Sequence, residues 1–424
     1  MIIRNNLWQI ESEPCKKHSE TSIFGAYYDV RRSAMAIRII AVSSSFGRQM
    51  YCKFWSNKQP LLYLWPAKEL EGGRGMTYND VKYMERMYNC PFPVDDVFPA
   101  DHVSLVYGKS KNKSTNVIQI TVPSRTMKYD IGACVPLTYG FINPLRLIEW
   151  IELNKILGVK EFNFYTSQPN LGAMVVLQEY ATQGSVRIFN MTPPVEVPSN
   201  ESWCYWCQKI SVLVALNDCL YQNMYRYKYI LTLDVDEFIV PRNKNIITLN
   251  DLIKQLDPLH SFSGYEFINT YFFLDSNVTS AQHFHEHIQK QVKNKTDMAD
   301  SSKNSNHVPS MKHTVTTRYL TSVDPSPVGY SPKSIIDPKE CILLQNHYCM
   351  KRIPNLKQLL RVDPEFATSN HYKYCHLKAS ECIIMMNSSH VDDVMLKYSK
   401  QLSPQFFRII KKISLTRNMN IFNI

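Results

Sequence analysis

The chain has 424 residues, of which 44% are hydrophobic and 12% aromatic, and its formal net charge is +11. At roughly 150 residues per domain, this length predicts two or three domains, and the apolar content excludes a largely disordered chain. No run of about 18 apolar residues occurs, so we expect no transmembrane helix in the printed sequence. The basic residues are scattered and no nucleic-acid-binding motif accompanies them, which favours a solvated surface or a nucleotide diphosphate ligand over nucleic acid.

Cysteines and glycosylation sequons bear on the cellular compartment. The chain has eleven cysteines, and six Asn-x-Ser/Thr sequons begin at Asn112, Asn190, Asn200, Asn277, Asn294 and Asn387. Together they favour a secretory lumen over the cytosol. Cys204 and Cys207 form a lone CxxC. Because no second pair follows at zinc-ribbon spacing, we expect structural thiols or disulfides there rather than zinc or redox chemistry.

The first 127 residues predict a β-rich domain that follows a polar, irregular segment over residues 1–20. Ser33–Ser43 and Val117–Val122 are rich in β-branched residues, and turn-forming residues separate such runs. Asn79–Tyr88 instead fits a short helix. We therefore expect a β-rich N-terminal domain over residues 21–127.

A strand–helix–strand alternation begins near Tyr129. Asn143 and Pro144 are typical of an N-cap and a first helical position, and Gly158 is typical of a helix end. The alternation comprises predicted strands at 132–139, 161–166, 185–189 and 229–233, and predicted helices at 144–157, 173–180 and 208–225. It indicates a parallel α/β sheet with right-handed crossovers. We expect this domain to span 128–405 and a basic tail to cover 406–424.

Residues 276–312 interrupt the alternation and predict a polar insertion. They carry His283, His285 and His287 at alternate positions. Such a run can bind metal, but without a supporting scaffold it is more typical of a solvated loop.

The most informative stretch is Tyr227–Arg242, in which an apolar strand leads into Asp234-Val235-Asp236. Residues i and i+2 of an extended chain share a face, so the two carboxylates should lie together at the carboxyl end of a parallel strand. Their mutual repulsion is relieved by a hard divalent cation, which also binds substrate phosphates. The alternative is an N-cap and turn after a strand, because DxD alone is a weak signal.

Several segments resemble glycosyltransferase family 92. They are Cys134–Gln168, Gln208–Arg242, Lys333–Met350 and Asn370–Cys375, with a further similar stretch upstream at Phe24–Val42. The resemblance runs in order through most of the chain, which makes it far more specific than the DxD motif.

The resemblance implies a GT-A fold, meaning a Rossmann-type, parallel-rich α/β sheet, beside the smaller β-rich domain. It implies inverting transfer of a sugar, galactose in characterised relatives, from a UDP-sugar to a glycan on a glycoprotein or glycolipid, with Mn²⁺ or Mg²⁺. Such relatives are type II Golgi membrane proteins with a lumenal catalytic domain. On that pattern a membrane anchor precedes the catalytic domain, and we expect the printed sequence to be truncated or to begin at an internal methionine.

On the family pattern, Asp234 and Asp236 hold the metal and the donor diphosphate. GT-A enzymes often add a C-terminal histidine near the metal, for which we predict His347, with His371 as the second choice. For either histidine, a hydrogen-bonded role in the core or a loop is the alternative.

An inverting transfer also needs a general base. Asp275 and Glu266 are candidates, although Glu266 could lie within a strand and Asp275 could cap a turn. We expect the strand ends at Cys134–Tyr139 and Tyr165–Gln168 to line the uridine pocket. Asn217 and Asp218, which interrupt an apolar helix face, could face the donor or make buried polar contacts.

Two other functional classes compete with an enzyme of this family. A non-catalytic glycan-binding or scaffolding protein would keep the core strands and lose metal-dependent nucleotide binding. A metal-dependent phosphohydrolase would need a second cluster of acids or histidines, which is not apparent at matching spacing.

Overall fold

The computed structural model describes residues 3–5, 9–11, 21–31, 36–44, 49–56, 59–70, 75–78, 81–91, 100–108, 114, 116–191, 211–274, 314–354 and 357–417. Its first eleven strands are β1 Ile3–Asn5, β2 Gln9–Glu11, β3 Thr21–Asp29, β4 Ala36–Ser43, β5 Met50–Ser56, β6 Gln59–Pro66, β7 Lys68–Leu70, β8 Gly75–Tyr78, β9 Val81–Pro91, β10 His102–Tyr107 and β11 Ile118–Thr121.

An alternating series follows: β12 Tyr129–Gly140, α1 Pro144–Ile156, β13 Glu161–Pro169, α2 Leu171–Thr182, β14 Val186–Asn190, α3 Val212–Asn223 and β15 Tyr227–Thr232. Beyond it lie β16 Glu237–Pro241, α4 Leu249–Leu256, β17 Gly264–Phe267, β18 Asn269–Phe273, α5 Val315–Arg318, β19 Thr321–Ser322 and β20 Lys333–Ile336. The last elements are β21 Cys341–Leu344, β22 Cys349–Arg352, β23 Leu359–Val362, β24 Ala367–Lys373, α6 Ala379–Asn387, β25 His390–Val391 and α7 Ser399–Arg417.

An eight-stranded sheet positions the site, in the order β1-β14-β13-β12-β15-β20-β17-β23. The half from β1 to β15 is parallel, as the alternation predicted. β20 then inserts antiparallel between β15 and β17. A three-stranded sheet, β16-β24-β18, continues from the end of β15. This mixed, parallel-rich α/β architecture is the predicted GT-A-like fold class.

Local sequence explains why the first helix forms where it does. The Asn143 side chain accepts hydrogen bonds from the amides of Leu145 and Arg146, and Pro144 occupies the first turn. Gly158, with φ of 105°, lets the chain turn after α1. Trp150 on the inner face is fully buried, and its indole Nε1 donates to the carbonyl of Glu237 at 3.0 Å. Helix α1 is thereby fixed to the strand that follows the acidic motif.

The N-terminal part of the described chain forms a ten-stranded β-sheet with the backbone path β6-β5-β10-β11-β3-β4-β9-β7, to which β2 and β8 add at β3 and β9. It packs on helix α3 through a shared apolar core that includes Phe24, Tyr27, Leu216, Leu220 and Tyr221. The β-rich module is therefore attached directly to the sheet that carries the acidic motif.

Three sequence-based expectations differ from the structure. Within residues 1–20, two short strands form because β1 and β2 gain backbone partners on β14 and β3. Residues 81–88 of the helix expected over 79–88 are instead part of β9, since pairing with β4 and β7 outweighs local preference. The basic tail expected over 406–424 is, as far as Arg417, the end of helix α7, whose apolar face is buried at Leu402, Phe406, Ile409, Ile410 and Ile413.

Other expectations fall outside the described residues. These are Cys204 and Cys207, the histidines of the 276–312 insertion and Asp275. Among helices of the described residues, none is both long and apolar enough to span a bilayer.

Candidate functional site

The acidic motif forms a tight turn between β15 and β16. The backbone amide of Glu237 donates to the carbonyl of Asp234 at 3.1 Å, and the Glu237 carboxylate accepts from the Asp234 amide at 3.0 Å. The turn thus ends a buried parallel strand and directs Asp234 and Asp236 into one cavity. The turn after the strand, which was the alternative from sequence, is present at residues 235–236, and both aspartates line the same cavity.

The cavity has a volume of about 470 Å³ and lies at the carboxyl ends of β12 and β15, where ligands bind in α/β sheets. Residues from β12 and the start of α1 form one wall, and Tyr374 contributes from beyond β24. Among the described residues, the lining comprises Val135–Tyr139, Phe141–Asn143, Arg146, Asp234–Asp236 and Tyr374. The guanidinium of Arg146 lies 5.7 Å from the Tyr374 ring centroid. The predicted strand end at Cys134–Tyr139 therefore reaches the cavity from Val135 onward, whereas Tyr165–Gln168 does not line it.

A buried lysine forms ion pairs with the acidic motif and with Glu237. Lys333, the first residue of β20, has no exposed side-chain surface, and its Nζ lies 2.8 Å from both Asp234 Oδ2 and Glu237 Oε2. Nζ also donates to Asn346 Oδ1 at 3.3 Å, and the Asn346 amide donates to Asp234 Oδ2 at 3.3 Å. One oxygen of Asp234 is therefore occupied by two donors.

His371 contacts the other aspartate. It lies on β24 opposite Glu237, with Nε2 3.3 Å from Asp236 Oδ2 and Nδ1 3.3 Å from Glu237 Oε1. The backbone of Asp236 is tied to the same strand, because its carbonyl accepts from the Tyr372 amide at 2.8 Å. A carboxylate beside one imidazole nitrogen orients the ring so that the other nitrogen can bind a metal.

The electrostatics of this cluster follow from burial and pairing. Burial opposes ionisation of Asp234, but Lys333 and the hydrogen bonds outweigh it and lower the pKa of Asp234 to about 2. Burial raises the pKa of Glu237 above its ordinary value, and Lys333 offsets only part of that effect. Burial lowers the pKa of His371, yet the Glu237 and Asp236 carboxylates reverse this and raise it. Asp234 is thus held as a carboxylate, and His371 is drawn toward its charged form by two acids.

His347, the first choice from sequence, lies on the turn between β21 and β22. Its Nδ1 is 3.0 Å from the carbonyl oxygen of Pro332, and its own carbonyl accepts from Ser334 Oγ at 2.6 Å. Its neighbour Asn346 is the residue whose side chain reaches Asp234. The geometry around the motif therefore favours His371, the second choice.

Glu266, one of the two candidate bases, lies within β17 and not at the lining of the main cavity. Arg361 Nε is 2.9 Å from its Oε1, and it lines a smaller cavity of about 130 Å³ with Asp337 and Glu340. This environment fits the mid-strand alternative for Glu266. The other candidate, Asp275, lies outside the described residues.

Asn217 and Asp218 make the buried contacts that were the alternative to facing the donor. The Asn217 side chain donates to Leu344 O and accepts from Leu344 N, which fixes the hairpin of β21 and β22 against α3. Asp218 accepts from Tyr165 OH at 2.6 Å and from Tyr27 OH. Asp218 therefore joins the eight-stranded sheet to the N-terminal sheet.

Disulfides brace the same elements. Four occur among the described residues: Cys52–Cys90, Cys134–Cys219, Cys341–Cys349 and Cys375–Cys382. The second links β12 to α3, and the third closes the hairpin that carries Asn346. One strand of the cavity wall, β12, is therefore cross-linked to helix α3.

Lys333 and Asn346 contact the acidic motif, and sequence reasoning did not single them out. Both fall in the family-like segment Lys333–Met350, so the resemblance indicated the region but not the side chains. A lysine that opens the apolar run Ser334–Ile336 is the one local signal, since a buried strand seldom carries an ammonium group unless a partner is near.

A cation would find oxygen and imidazole groups in this site. The Asp236 side chain is 35% exposed, and His371 Nε2 adjoins it; Mn²⁺ accepts both ligand types. In the described ranges, no group of three or more His, Cys, Asp or Glu side chains is arranged to hold a metal ion. Two protein ligands fit a cation that substrate oxygens complete.

Comparisons with known proteins agree with this geometry. Residues 129–412 match the model of Glycosyltransferase family 92. The β-1,4-galactosyltransferase galt-1 of Caenorhabditis elegans is 26% identical over 235 residues, which are 51% of this chain and 51% of that protein. The chain therefore matches about half the length of this relative.

Solved structures show weaker likeness. A mannosyltransferase from Pyrobaculum calidifontis, PcManGT, in complex with GDP-Man and Mn²⁺, aligns with a TM-score of 0.30 and 9% identity, over 71% of this chain and 79% of its own. S. aureus TarS 1-349 aligns with a TM-score of 0.26 and 14% identity, over 69% and 73%. The family match, by contrast, covers more than half of the sequence and includes the whole acidic cluster. The chain belongs to glycosyltransferase family 92.

Proposed function

We propose that this glycosyltransferase moves galactose from UDP-galactose to a glycan on a glycoprotein or glycolipid, with inversion and with Mn²⁺ or Mg²⁺. The observation that carries the proposal is the cavity at the ends of β12 and β15, into which Asp234 and Asp236 both project beside His371. The galactosyltransferase relative supports the choice of sugar. Inversion follows from the family resemblance.

The cavity suits a nucleotide sugar. Its volume of about 470 Å³ lies in the range of small-molecule and cofactor sites. The β12 end and the first turn of α1 would contact the nucleoside, with Asn143 and Arg146 as polar groups. The acidic turn faces them, which suits a diphosphate bridged to carboxylates by a cation.

Asp236 and His371 would hold the divalent cation. When bound, the cation would support the departing nucleoside diphosphate as a Lewis acid. Glu237 Oε1 lies 3.3 Å from Nδ1 of His371, a charge contact without hydrogen-bond geometry, and Lys333 fixes Asp234. The protein thus supplies a preassembled acidic face, which is the arrangement that electrostatic catalysis requires.

The general base is a separate question. Glu266 is paired with Arg361 away from the main cavity, so Asp275 is the carboxylate that we keep as the proposed base. It follows Leu274 directly, and β18 runs beside β24, which carries His371.

We propose the Golgi lumen as the location, in a type II membrane arrangement like that of the family. Four disulfides among the described residues support an oxidising compartment. The six sequons are compatible with it.

A donor screen tests the proposal. The protein would be assayed with a panel of UDP-sugars and Mn²⁺ on a glycan array, with EDTA as the control. We expect transfer from UDP-galactose that EDTA removes. Absence of transfer from every donor, together with no thermal stabilisation by UDP and Mn²⁺, would favour a non-catalytic glycan-binding protein instead.

A further inference from the structure

Lys333 is an ammonium group enclosed by the acidic motif. Its side chain is fully buried, and it is surrounded by Asp234 Oδ2 and Glu237 Oε2, both at 2.8 Å, and Asn346 Oδ1 at 3.3 Å. An ammonium has three donor hydrogens, and three acceptors are present. Burying such a charge is unfavourable unless its partners compensate it, so the three acceptors and the lysine depend on one another.

Asp234 and Asp236 have different contacts. Asp234 Oδ2 receives Lys333 and Asn346, whereas Asp236 Oδ2 has the His371 ring at 3.3 Å. Asp234 therefore already has an ammonium group in contact with it, whereas Asp236 contacts the His371 ring and interacts with Lys373 only electrostatically, without an ion pair among the described residues. Glu237, the third carboxylate, is shared between Lys333 and His371 through its two oxygens.

From this division we propose that Lys333 is a positioning residue that neutralises Asp234 and Glu237 and thereby directs the divalent cation to Asp236 and His371. This inference rests on the proposed function, because it concerns the cation of that reaction. Lys333 itself does not reach the cavity lining; it acts through Asp234 and Glu237.

The position of β20 explains why the lysine can do this. The strand inserts antiparallel beside β15, with Thr232 opposite Ser334. Lys333, which precedes Ser334, therefore lies next to the turn that follows β15. Asn346 lies on the hairpin that the Cys341–Cys349 disulfide closes. The Asn217 side chain donates a hydrogen bond to Leu344 O of the same hairpin, and Asn346 is thereby held within reach of Lys333.

The direction in which the affinity for the cation changes distinguishes this role of Lys333 from a merely structural one. A lysine with a merely structural role would, when removed, loosen the site and weaken cation binding. A lysine that competes with the cation for Asp234 would, when removed, strengthen cation binding. Transfer would still fall, because Asp234 would no longer be held in its place in the cavity.

The test compares wild type with Lys333→Met and with the double variant Lys333→Met/Glu237→Gln. The double variant removes a buried cation and a buried anion together, so it keeps the net charge and carries the test if the single variant does not fold. Lys155→Met is a matched control, since Lys155 pairs with buried Glu152 in α1 at 2.9 Å. Folding is checked by circular dichroism and thermal unfolding.

Two quantities are measured for each variant. The first is the affinity for Mn²⁺ alone, from the paramagnetic resonance signal of free Mn²⁺. The second is kcat and KM for UDP-galactose. Glu237→Gln alone is measured beside the double variant, because that substitution also changes the contact with His371. We expect the double variant to bind Mn²⁺ about tenfold more tightly than Glu237→Gln, and its kcat to fall by about 100-fold from wild type. Lys155→Met should change neither.

Mn²⁺ binding by a folded double variant that is no tighter than that of Glu237→Gln would overturn the role of Lys333. If wild type transfers galactose while this result is obtained, the inference fails and the proposed function stands. If wild type binds Mn²⁺ and the double variant binds it more tightly, but no UDP-sugar is a donor, the positioning role stands and the proposed function fails. Absence of Mn²⁺ binding by wild type would overturn the inference, and if no UDP-sugar is a donor either, the proposed function fails with it.

Discussion

His371 and Glu237 face each other across β24 and β16, with Nδ1 of the imidazole 3.3 Å from Oε1 of the carboxylate. The ring's other nitrogen is 3.3 Å from Asp236 Oδ2. His371 follows Glu237 by 134 positions in the sequence. Strand pairing nevertheless sets it beside Asp236, the aspartate that we assign to the cation. The relation gives His371 a defined orientation, and it leads to the first prediction.

His371→Ala should lower the apparent affinity for Mn²⁺ in sugar transfer by about 100-fold or more, because one of two protein ligands is lost. His347→Ala should change it by no more than about threefold, since the His347 ring nitrogen lies beside Pro332 O. The measurement is the Mn²⁺ dependence of the transfer rate. If the two effects were reversed, His347 would be the ligand and our assignment wrong.

The disulfide Cys341–Cys349 should affect catalysis through Asn346. Replacing both cysteines with serine should lower kcat and also destabilise the fold by about 2 kcal/mol, because the hairpin that presents Asn346 to Asp234 is no longer closed. The control is Cys52→Ser/Cys90→Ser in the N-terminal sheet, which should lower stability but not kcat. Equal kcat values in both double variants would argue against the hairpin's role.

Asp257 should make stability depend on acidic pH. Burial opposes its ionisation, but donors from Ser261, Phe262 and Tyr265 outweigh that effect and lower the pKa of Asp257 from 3.8 to about 2. The folded-state pKa is below the unfolded one, so this stabilisation is complete above about pH 4 and is lost as the pH falls toward 2.

Asp257→Asn should therefore lower the free energy of unfolding by about 2 kcal/mol near neutral pH. The difference from wild type should shrink as the pH is lowered from 6 to 3. Urea unfolding at several pH values measures it. A difference that stays constant over this range would contradict the assigned pKa of Asp257.

Asp218 should couple the two large sheets. It accepts hydrogen bonds from Tyr165 of β13 and Tyr27 of β3. Asp218→Ala leaves these buried hydroxyls without their acceptor, and we expect a loss of about 2–3 kcal/mol in the free energy of unfolding. Calorimetry should show a single unfolding transition in wild type, at a higher temperature than in Asp218→Ala. Asp324→Asn, at an exposed carboxylate, is the control and should have little effect.

Much of the catalytic sheet was predictable because its signals are local. The cap at Asn143, the stop at Gly158 and the alternation of apolar runs all act over a few residues, and the structure has these elements at 144–156, 161–169 and 186–190. Asp234 and Asp236 were likewise evident, because a DxD motif after an apolar strand needs no tertiary information.

The rest depended on long-range pairing. Lys333 is 99 residues from Asp234 in sequence, and it reaches that residue only because β20 inserts antiparallel beside β15. The choice between His347 and His371 depended on which strand lies next to β16, and that strand is β24. Periodicity cannot reveal such neighbours. The helix at the chain's end was missed because its basic residues, among them Lys411 and Lys412, masked an apolar face that packs in the core.

The most direct test of the account is Asp236→Asn assayed for Mn²⁺-dependent transfer from UDP-galactose. The substitution keeps size and shape while it removes the charge that faces the cation. We predict loss of transfer by at least about 100-fold, with a melting temperature within a few degrees of wild type. Unchanged turnover in the folded variant would contradict the assignment of Asp236 and, with it, the metal-dependent mechanism.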